Sequence, residues 1–321
     1  GWSLIPIKLK KGKNEFVLSG GRFNNMRARL LKPDQAVQFT KRDLTLPDLL
    51  VDDAKPVYGA IRIMNTKESW FKGGKIEVKI GDATYTSAVP DISPLLVRKV
   101  PFTITPPSNL KANEEAEAEL TLLSKSGKVL AKDTLTFGTK SKYKHHKKTF
   151  ISKVDGSVQY FSVAPSLTKD KDNQALFLSV HGASVEAVNQ ANAYKQKDWG
   201  HLVAPTNRRP YGFAWEDWGR LDALEVLEEA ERIYKTDSSH TYLTGHSMGG
   251  HGSWYLGATY PDRFAAIAPC AGYPDLLRYR NFRVEQMAKL PEEDFKDLGI
   301  TKEEFIAQTT ASFNAEIDKE L

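Results

Sequence analysis

The chain has 321 residues, 40% of them hydrophobic, and a formal net charge of +5 at pH 7, a size that suffices for two or three domains with separate cores. Its longest apolar runs are far shorter than the roughly 20 residues of a membrane helix, so we expect no membrane partner. The single cysteine, Cys270, excludes an internal disulfide framework, and the apolar run before it predicts a buried thiol.

The first part of the chain, up to about residue 140, has the pattern of β structure. Short segments rich in β-branched and aromatic residues lie between Gly, Asn and Pro; the clearest are residues 15–18, 57–63 and 75–80. A hairpin is predicted over residues 116–137, where apolar and polar side chains alternate on both sides of Ser126-Gly127. Strands of this length and spacing are typical of a β-sandwich.

A lysine-rich segment follows at residues 140–148 and holds five lysines. Such a run could contact an anionic polymer, but a solvated linker between domains is the better interpretation. The rest of the chain has no second basic patch with interleaved aromatic residues, so we expect no nucleic-acid partner. These changes in pattern divide the chain into two β modules, residues 1–43 and 44–140, and a third domain, residues 141–321.

The third domain alternates strands with helices. Residues 150–163 are expected to form an opening hairpin around Asp155-Gly156, and residues 175–180 are apolar enough for a parallel strand buried on both faces. The remaining predicted elements, in chain order, are helix 184–197, strand 201–204, helix 215–234, strand 241–244, helix 249–259 and strand 264–268. Alternation with short loops predicts a parallel sheet covered by helices on both faces.

The strongest chemical signal is Gly245-His246-Ser247-Met248-Gly249, which lies between a predicted strand and a predicted helix. In this context a Gly-x-Ser-x-Gly run indicates a nucleophile elbow, a strained turn that exposes the serine hydroxyl. We therefore predict that Ser247 is a catalytic nucleophile and that its φ is positive. Glycine is needed at both ends of the run because side chains there would collide where the helix meets the strand.

Acyl transfer also needs donors for the oxyanion that develops on the substrate. The backbone N–H of Met248 is one candidate, because it lies at the start of the helix. The second donor is expected from the loop after strand 175–180, where Ala183 is the first choice and Gly182 the second. His181 is expected to orient this loop.

A loop at residues 207–220 is rich in arginine and tryptophan. Loops at this edge of an open α/β sheet build substrate pockets, and we take four of its side chains as pocket candidates: Arg208, Arg209, Trp215 and Trp218. The alternative is a rigid, aromatic-packed loop whose arginines pair with Glu216 and Asp217. The two interpretations are about equally supported.

The histidine that a serine triad needs is missing after the elbow helix. The seven histidines of the chain lie at positions 145, 146, 181, 201, 240, 246 and 251. In this architecture the acid and then the histidine follow the serine. Asp275 could be an acid, but no histidine follows it for it to orient. We expect that the acid and the base come from sequence beyond residue 321, so that the chain alone has little activity.

The segment from residue 150 to 272 resembles the catalytic domain of the prolyl-oligopeptidase-like group of α/β hydrolases. The resemblance is carried by residues 155–160, 179–183, 204–210, 215–220 and 242–250. It implies an α/β-hydrolase fold, incomplete at its C-terminal strands, preceded by all-β sandwich modules. Residues 1–31 resemble the closing strands of a galactose-binding-like jelly roll, and residues 44–140 an immunoglobulin-like sandwich. Proteins of this group are often exported, which implies a periplasmic or extracellular location.

The resemblance implies a serine peptidase that forms an acyl-enzyme at Ser247 and needs no metal or organic cofactor. A carboxylesterase on acylated polysaccharide is the alternative, because the same elbow serves both reactions and the β modules could contact carbohydrate. An inert, hydrolase-like binding or scaffold protein is the alternative without catalysis. The expected partner is thus a peptide or an ester.

Overall fold

The chain folds into two β-sheets around one core, followed by a third, mixed sheet that helices cover on both faces. The computed structural model describes residues 4–18, 28–208, 212, 214–296 and 299–317. Within this part of the chain, no helix is both long and apolar enough to cross a bilayer.

The first two sheets are formed by eight strands of the described chain. Their bounds are β1 Val37–Thr45, β2 Leu49–Leu50, β3 Val57–Asn65, β4 Lys75–Ile80, β5 Ala83–Ala88, β6 Leu96–Ile104, β7 Glu115–Leu123 and β8 Val129–Lys140. One sheet has the order β1-β3-β6 and the other the order β2-β8-β7-β4-β5. Alternate residues of facing strands form one shared core, for example Ile61, Ile76 and Leu120, each with none of its surface exposed. The sheet β1-β3-β6 contacts the third sheet, which is described below.

Three predicted elements of the N-terminal part are confirmed, and two other expectations are wrong. Strands β3 and β4 and the β7–β8 hairpin lie where predicted, with Gly127 at a φ of 83° in the turn. Residues 15–18 form no strand, because no strand of the described residues pairs with them. The boundary after residue 43 would cut β1, which pairs with β3 from Val37 to Thr45.

The third sheet contains six strands of the described chain. Their bounds are β9 His146–Ile151, β10 Val158–Ala164, β11 Ala175–Val180, β12 Gly200–Ala204, β13 Thr241–His246 and β14 Ala266–Cys270. The order is β14-β13-β11-β12-β10-β9, in which the four strands from β14 to β12 run parallel and the β9–β10 hairpin runs antiparallel. The described helices are α1 Ala187–Asn192, α2 Asp217–Tyr234, α3 Met248–Thr259, α4 Leu276–Met287, α5 Glu293–Lys296 and α6 Lys302–Ile317.

Helices cover both faces of this sheet, as the alternation predicts. Helices α2 and α3 pack on the face that carries Leu176 and Leu178, whereas α1 packs on the opposite face with Leu202 and Ala204. Helix α1 is shorter than the predicted helix 184–197. The lysine-rich segment is not only a linker, since β9 begins within it and buries His146 to 4% exposure.

Strand β14 lies at the edge of the sheet in the described part of the chain. Its residues alternate between exposed and half-buried, and the thiol of Cys270 is exposed. The prediction of a buried thiol is therefore wrong, because a strand at an edge lacks the neighbour that would cover it.

Candidate active site

The candidate site lies at one edge of the third sheet, where the parallel strands β11, β12 and β13 end. The loops that follow these strands carry the sequence-predicted residues: Ala183 after β11, Arg208 after β12 and Ser247 after β13. Because the carboxyl ends of parallel strands meet at one edge, the fold brings these three loops side by side.

Ser247 connects β13 directly to α3 in a sharp elbow. Its φ is 58° and its ψ is −117°, so the predicted positive φ is confirmed. The backbone N–H of Ser247 donates to the carbonyl oxygen of Cys270 at 2.9 Å, and its own carbonyl accepts from His251 N–H at 3.1 Å. The side chain is exposed. Hydrogen bonds to the end of β14 and within α3 thus hold the turn, while Ser247 itself is exposed to solvent.

The glycines on both sides of the serine allow this elbow to form. A Cβ on Gly249 would lie 2.0 Å from the carbonyl oxygen of Val180, and a Cβ on Gly245 would lie 2.3 Å from the carbonyl oxygen of Gly249. Both contacts are with backbone, which cannot rotate away. The sequence argument for glycine at these positions is therefore confirmed by the close approach of β11, β13 and α3.

The loop after β11 lies against the elbow. A Cβ on Gly182 would be 3.6 Å from Cβ of Ser247 and 3.2 Å from the carbonyl oxygen of His246. Ala183 follows and is exposed, and Ser184 has a φ of 61°. The sequence thus predicts the correct neighbour for the serine, and the roles of the Ala183 and Met248 N–H groups remain predictions.

Backbone strain is concentrated at this edge of the sheet. Non-glycine residues with positive φ follow β11 at Ser184, follow β12 at Asn207, Arg208, Ala214, Trp215 and Asp217, follow β13 at Ser247 and follow β14 at Ala271. Such conformations cost of order 1–3 kcal/mol each and persist only where the surroundings enforce them. Strain gathered around one exposed serine favours a functional role for this edge.

None of the seven histidines forms a hydrogen bond with Ser247 in the described structure. His251 lies one turn into α3, where its Nε2 is 2.7 Å from Glu216 Oε1 and its Nδ1 is 3.0 Å from the carbonyl oxygen of Tyr273. His181 is fully buried between the carbonyl oxygens of Gly182 and Thr206, at 2.9 and 3.0 Å. Both rings are therefore engaged, as expected for positioning residues. Asp275 caps α4 by accepting from the N–H of Arg278.

Trp215 does not line a pocket, contrary to the prediction. Its side chain has none of its surface exposed, and its Nε1–H donates to the carbonyl oxygen of His181 at 3.0 Å. The indole fills the space between the loop after β12 and helix α3. This position could not be read from the loop sequence, because the partners lie more than 30 residues away.

The guanidinium of Arg208 is also occupied by partners within the protein. It lies 3.3 Å from Asp222 Oδ1, 3.0 Å from Glu225 Oε2 and 3.4 Å from Asp155 Oδ2. Its side chain is 9% exposed. Arg208 therefore has no free guanidinium to offer a substrate as a pocket residue, and its partners are not the Glu216 and Asp217 of the alternative interpretation.

Asp222 is the buried end of this network. Its side chain has none of its surface exposed and accepts from the N–H and the hydroxyl of Thr206 at 3.0 and 3.1 Å. Burial raises the pKa of the Asp222 carboxyl above its ordinary value, while the guanidinium of Arg208 acts in the opposite direction. The network ties α2 to the strained loop after β12.

Trp218 is the one pocket candidate among the described residues whose side chain is still accessible to a ligand. It is 37% exposed, and the guanidinium carbon of Arg208 lies 5.7 Å from its ring centroid. Arg209 falls outside the described residues. The described chain contains no group of three or more His, Cys, Asp or Glu side chains placed to hold a metal ion.

Together, the mixed sheet, the helices on both faces and the serine at the elbow are the arrangement of an α/β hydrolase. Residues 181–307 match the model of the Esterase family, whose description is "Putative esterase". This segment contains the oxyanion-loop candidates, the elbow and the helix that follows it. The match supports a serine-type hydrolase of the esterase kind.

Three relatives are similar to parts of the chain. An "Uncharacterized secreted protein" of Arthroderma benhamiae is 30% identical over 46% of this chain and 18% of its own length. The "Poly(3-hydroxyalkanoate) depolymerase C" of Paucimonas lemoignei is 28% identical over 51% of this chain and 43% of its own. The "Bifunctional acetylxylan esterase/xylanase XynS20E" of Neocallimastix patriciarum is 28% identical over 31% of this chain and 16% of its own.

The chain spans less than half the length of each of these relatives. The family match and the relatives support an α/β-hydrolase esterase. They do not support the prolyl-oligopeptidase-like group or a peptidase, which the sequence resemblance implied. The shared elbow explains that difference, because it carries the nucleophile of both kinds of enzyme and does not specify the bond that is cleaved.

Proposed function

We propose that this chain carries the nucleophile and oxyanion loops of an exported serine esterase that removes acyl groups from a polysaccharide. The observation that carries the proposal is the exposed Ser247 at a φ of 58°, on an elbow within the segment that matches the Esterase family. The relative that acts as an acetylxylan esterase supports the substrate class, and the secreted relative supports export. The two sheets before the catalytic sheet are proposed to be an accessory sandwich of the immunoglobulin-like kind.

In the proposed reaction, Ser247 Oγ attacks the carbonyl carbon of the ester. The bond from that carbon to the alcohol oxygen of the sugar breaks, and the proton from Oγ goes to the departing alcohol. Water then attacks the acyl-enzyme, releases the carboxylic acid and restores the serine. The N–H groups of Met248 and Ala183 are proposed to stabilise the oxyanion of both tetrahedral intermediates, a contribution of about 3–4 kcal/mol per donor.

The proton transfers in this scheme need a base. Since no histidine is hydrogen-bonded to Ser247 in the described structure, we expect slow acylation by this chain, and we expect imidazole added to the solution to accelerate it. The test compares the chain with Ser247→Ala, using p-nitrophenyl acetate with and without imidazole. The difference between the two proteins removes the direct reaction of imidazole with the ester.

We expect an imidazole-dependent increment in the wild-type chain that Ser247→Ala lacks, and a single acetyl adduct that peptide mass spectrometry locates on Ser247. An adduct on another side chain, with Ser247 unmodified, would contradict the assignment of the nucleophile. If neither protein acylates with or without imidazole, the proposal that Ser247 acts as a nucleophile in this chain is contradicted, and the non-catalytic alternative gains support. Preferential cleavage of a peptide p-nitroanilide over the ester would instead return the proposal to a peptidase.

A further inference from the structure

A cleft of about 630 Å³ lies between the N-terminal sheets and the catalytic sheet. Its walls come from both parts of the chain: Asp43, Thr45 and Lys99 on one side, and Ser157, Gln159 and Trp218 on the other. None of these six residues belongs to the elbow or to the oxyanion loop. Ligand sites are frequent in clefts between domains, so this cleft is a candidate binding site.

The cleft opens at the same edge of the sheet as Ser247. Glu186 and Thr206, which also line it, follow β11 and β12 at their carboxyl ends. Strand β10 runs antiparallel to β12, so that its first residues, next to Gln159, lie at this edge as well. In the order β13-β11-β12-β10 the cleft is two to three strands from the elbow, which corresponds to roughly 10–14 Å. A polymer with one group at Ser247 would continue along the edge into the cleft.

One aromatic side chain forms part of the wall. Trp218 is 37% exposed, whereas the neighbouring Trp215 is fully buried. The guanidinium of Arg208 supports the ring of Trp218, and its own ion pairs with Asp155 and Glu225 hold it in place. A fixed, partly exposed indole offers an apolar face with little loss of conformational entropy on binding.

The remaining wall is polar. Gln159 donates from Nε2 to Ser157 Oγ at 2.7 Å, and its amide oxygen has no hydrogen-bond partner among the described residues. On the opposite wall a β-bulge in β1 places Asp43 at a φ of 57°, between Arg62 at 2.7 Å and Lys99 at 3.2 Å. Bulges of this kind redirect a side chain towards a site.

These features distinguish between the polymers that could fill the cleft. The two cationic side chains that line the cleft, Lys99 and Arg208, are paired with carboxylates within the protein, which favours a neutral ligand over an anionic one. The carboxylate of Glu186 accepts from the hydroxyl of Tyr160 at 3.2 Å. An aliphatic polyester has no hydrogen-bond donor for the amide oxygen of Gln159 and would bury that oxygen without a partner, which is costly. A sugar chain presents C–H faces to an indole and hydroxyl groups to the polar side chains.

We propose that this cleft binds the neutral, hydroxyl-rich backbone of a polysaccharide and thereby presents its ester group to Ser247. The proposal rests on the esterase function proposed above and adds to it the site that binds the polysaccharide backbone bearing the ester group. Trp218 is the central contact, with Gln159 and the Asp43 cluster as hydrogen-bonding groups on the two walls.

The test measures binding without catalysis. Xylohexaose is titrated into the Ser247→Ala chain by isothermal titration calorimetry, and then into the same chain with Trp218→Ala or Trp199→Ala. Trp199 is the matched control, because it is 51% exposed but precedes β12 at the opposite edge of the sheet. We expect Trp218→Ala to lower the association constant by about tenfold or more and Trp199→Ala to leave it within about twofold.

If Trp218→Ala shifts the thermal unfolding midpoint, Gln159→Ala replaces it as the test variant, with the same expected direction. The proposal is overturned if xylohexaose, cellohexaose and mannohexaose all fail to bind, if the two tryptophan variants bind equally well, or if an oligomer of 3-hydroxybutyrate binds more tightly than the sugars. Since binding is read without hydrolysis, a chain that binds xylohexaose but does not acylate at Ser247 refutes only the esterase function.

Discussion

The indole Nε1–H of Trp215 donates a hydrogen bond of 3.0 Å to the carbonyl oxygen of His181, and both side chains are fully buried. The two rings also meet edge to face, with centroids 4.8 Å apart. Helix α3 presses on the same indole, because a Cβ on Gly252 would lie 2.4 Å from Cδ1 of Trp215. One side chain therefore connects the loop after β12, the oxyanion loop and the helix that follows the nucleophile.

We predict that Trp215→Phe destabilises the chain although it keeps an aromatic ring. The substitution leaves the carbonyl oxygen of His181 buried without its donor, which costs about 1–3 kcal/mol of unfolding free energy, and the smaller ring adds a cavity. Urea unfolding at pH 7 measures the loss. The matched control is Trp218→Phe, whose half-exposed ring is expected to change stability by less than about 0.5 kcal/mol. Equal unfolding midpoints for the two variants would show that this hydrogen bond contributes nothing.

A second prediction concerns the elbow. Gly249→Ala places a methyl group 2.0 Å from the carbonyl oxygen of Val180, so β11 and α3 must separate or the elbow must open. We expect a loss of at least about 3 kcal/mol, beyond an ordinary helix substitution. Gly127→Ala is the control: its Cβ meets nothing within 4 Å, and only its φ of 83° opposes the change, at about 1–2 kcal/mol. Chemical unfolding measures the loss of unfolding free energy in both variants, and an equal loss in the two would contradict the steric argument.

The elements that sequence predicts well here are those that local pattern determines. The sequence predicts the turn at Ser247 correctly because a strand, two glycines and a helix within about twenty residues leave one arrangement for it. The hairpin of β7 and β8 was placed correctly for a similar reason, since alternation and Ser126-Gly127 fix its register. The edge of the sheet at which the site forms then follows from the alternation of strands and helices.

The sequence-based predictions are wrong where a residue distant in sequence determines whether a side chain is buried or paired. Trp215 and Trp218 lie three residues apart, before α2 and in its first turn, and contacts with His181 and with helix α3 bury the first of them. The carboxylates that occupy Arg208 come from a hairpin turn and from α2, at Asp155, Asp222 and Glu225. Likewise, His146 lies among lysines that suggest a solvated linker, yet strand pairing with β10 buries it. No local pattern contains this information.

The buried pair of Arg208 and Asp222 gives a third prediction. Arg208→Met keeps much of the side-chain volume but leaves Asp222 buried without its cation, and breaking such a pair costs about 3–5 kcal/mol near neutral pH. The pKa of the Asp222 carboxyl, which burial already raises, rises further without Arg208. The carboxyl is neutral at low pH in both proteins, so the difference in unfolding free energy between variant and wild type is smallest there. It grows only as the pH rises above the raised pKa that Asp222 has in the wild type.

This pH dependence separates an ion-pair effect from a packing effect. Unfolding free energies of Arg208→Met and of the double variant Arg208→Met/Asp222→Asn are compared at pH 5 and pH 8. We expect the single variant to be less stable at pH 8 than at pH 5, relative to wild type, and the double variant to show a constant difference. A single variant whose deficit does not change with pH would contradict the account.

The last prediction concerns His146, the first residue of β9. Burial is the main cause that lowers the pKa of this imidazole to about 4, and the positive charge of Lys148 acts in the same direction. Its Nδ1–H donates to the carbonyl oxygen of Lys144 at 2.7 Å. The folded chain therefore keeps the ring neutral at pH values where the unfolded chain, with an ordinary value of 6.5, binds a proton. The stabilisation that the neutral ring of His146 contributes is fully present above pH 6.5, and it is lost as the pH falls from 6.5 towards 4.

His146→Asn tests this directly, because the amide N–H of asparagine can donate to the same carbonyl but does not titrate. The smaller side chain lowers the unfolding free energy at every pH. In the wild type the unfolding free energy also falls between pH 6.5 and pH 4.5, and we expect this fall to be about 2 kcal/mol smaller in the variant, because one histidine with this pKa difference contributes about that amount. Urea unfolding at steps across this interval measures the slope. His240→Asn, at an exposed histidine, is measured alongside as a control for the substitution itself. His201, whose pKa burial also lowers to about 4, retains its own share in both variants, so the slope is reduced and not abolished. An unchanged slope in His146→Asn would mean that the ring is charged or hydrated in the folded chain, and β9 would then not be packed as described.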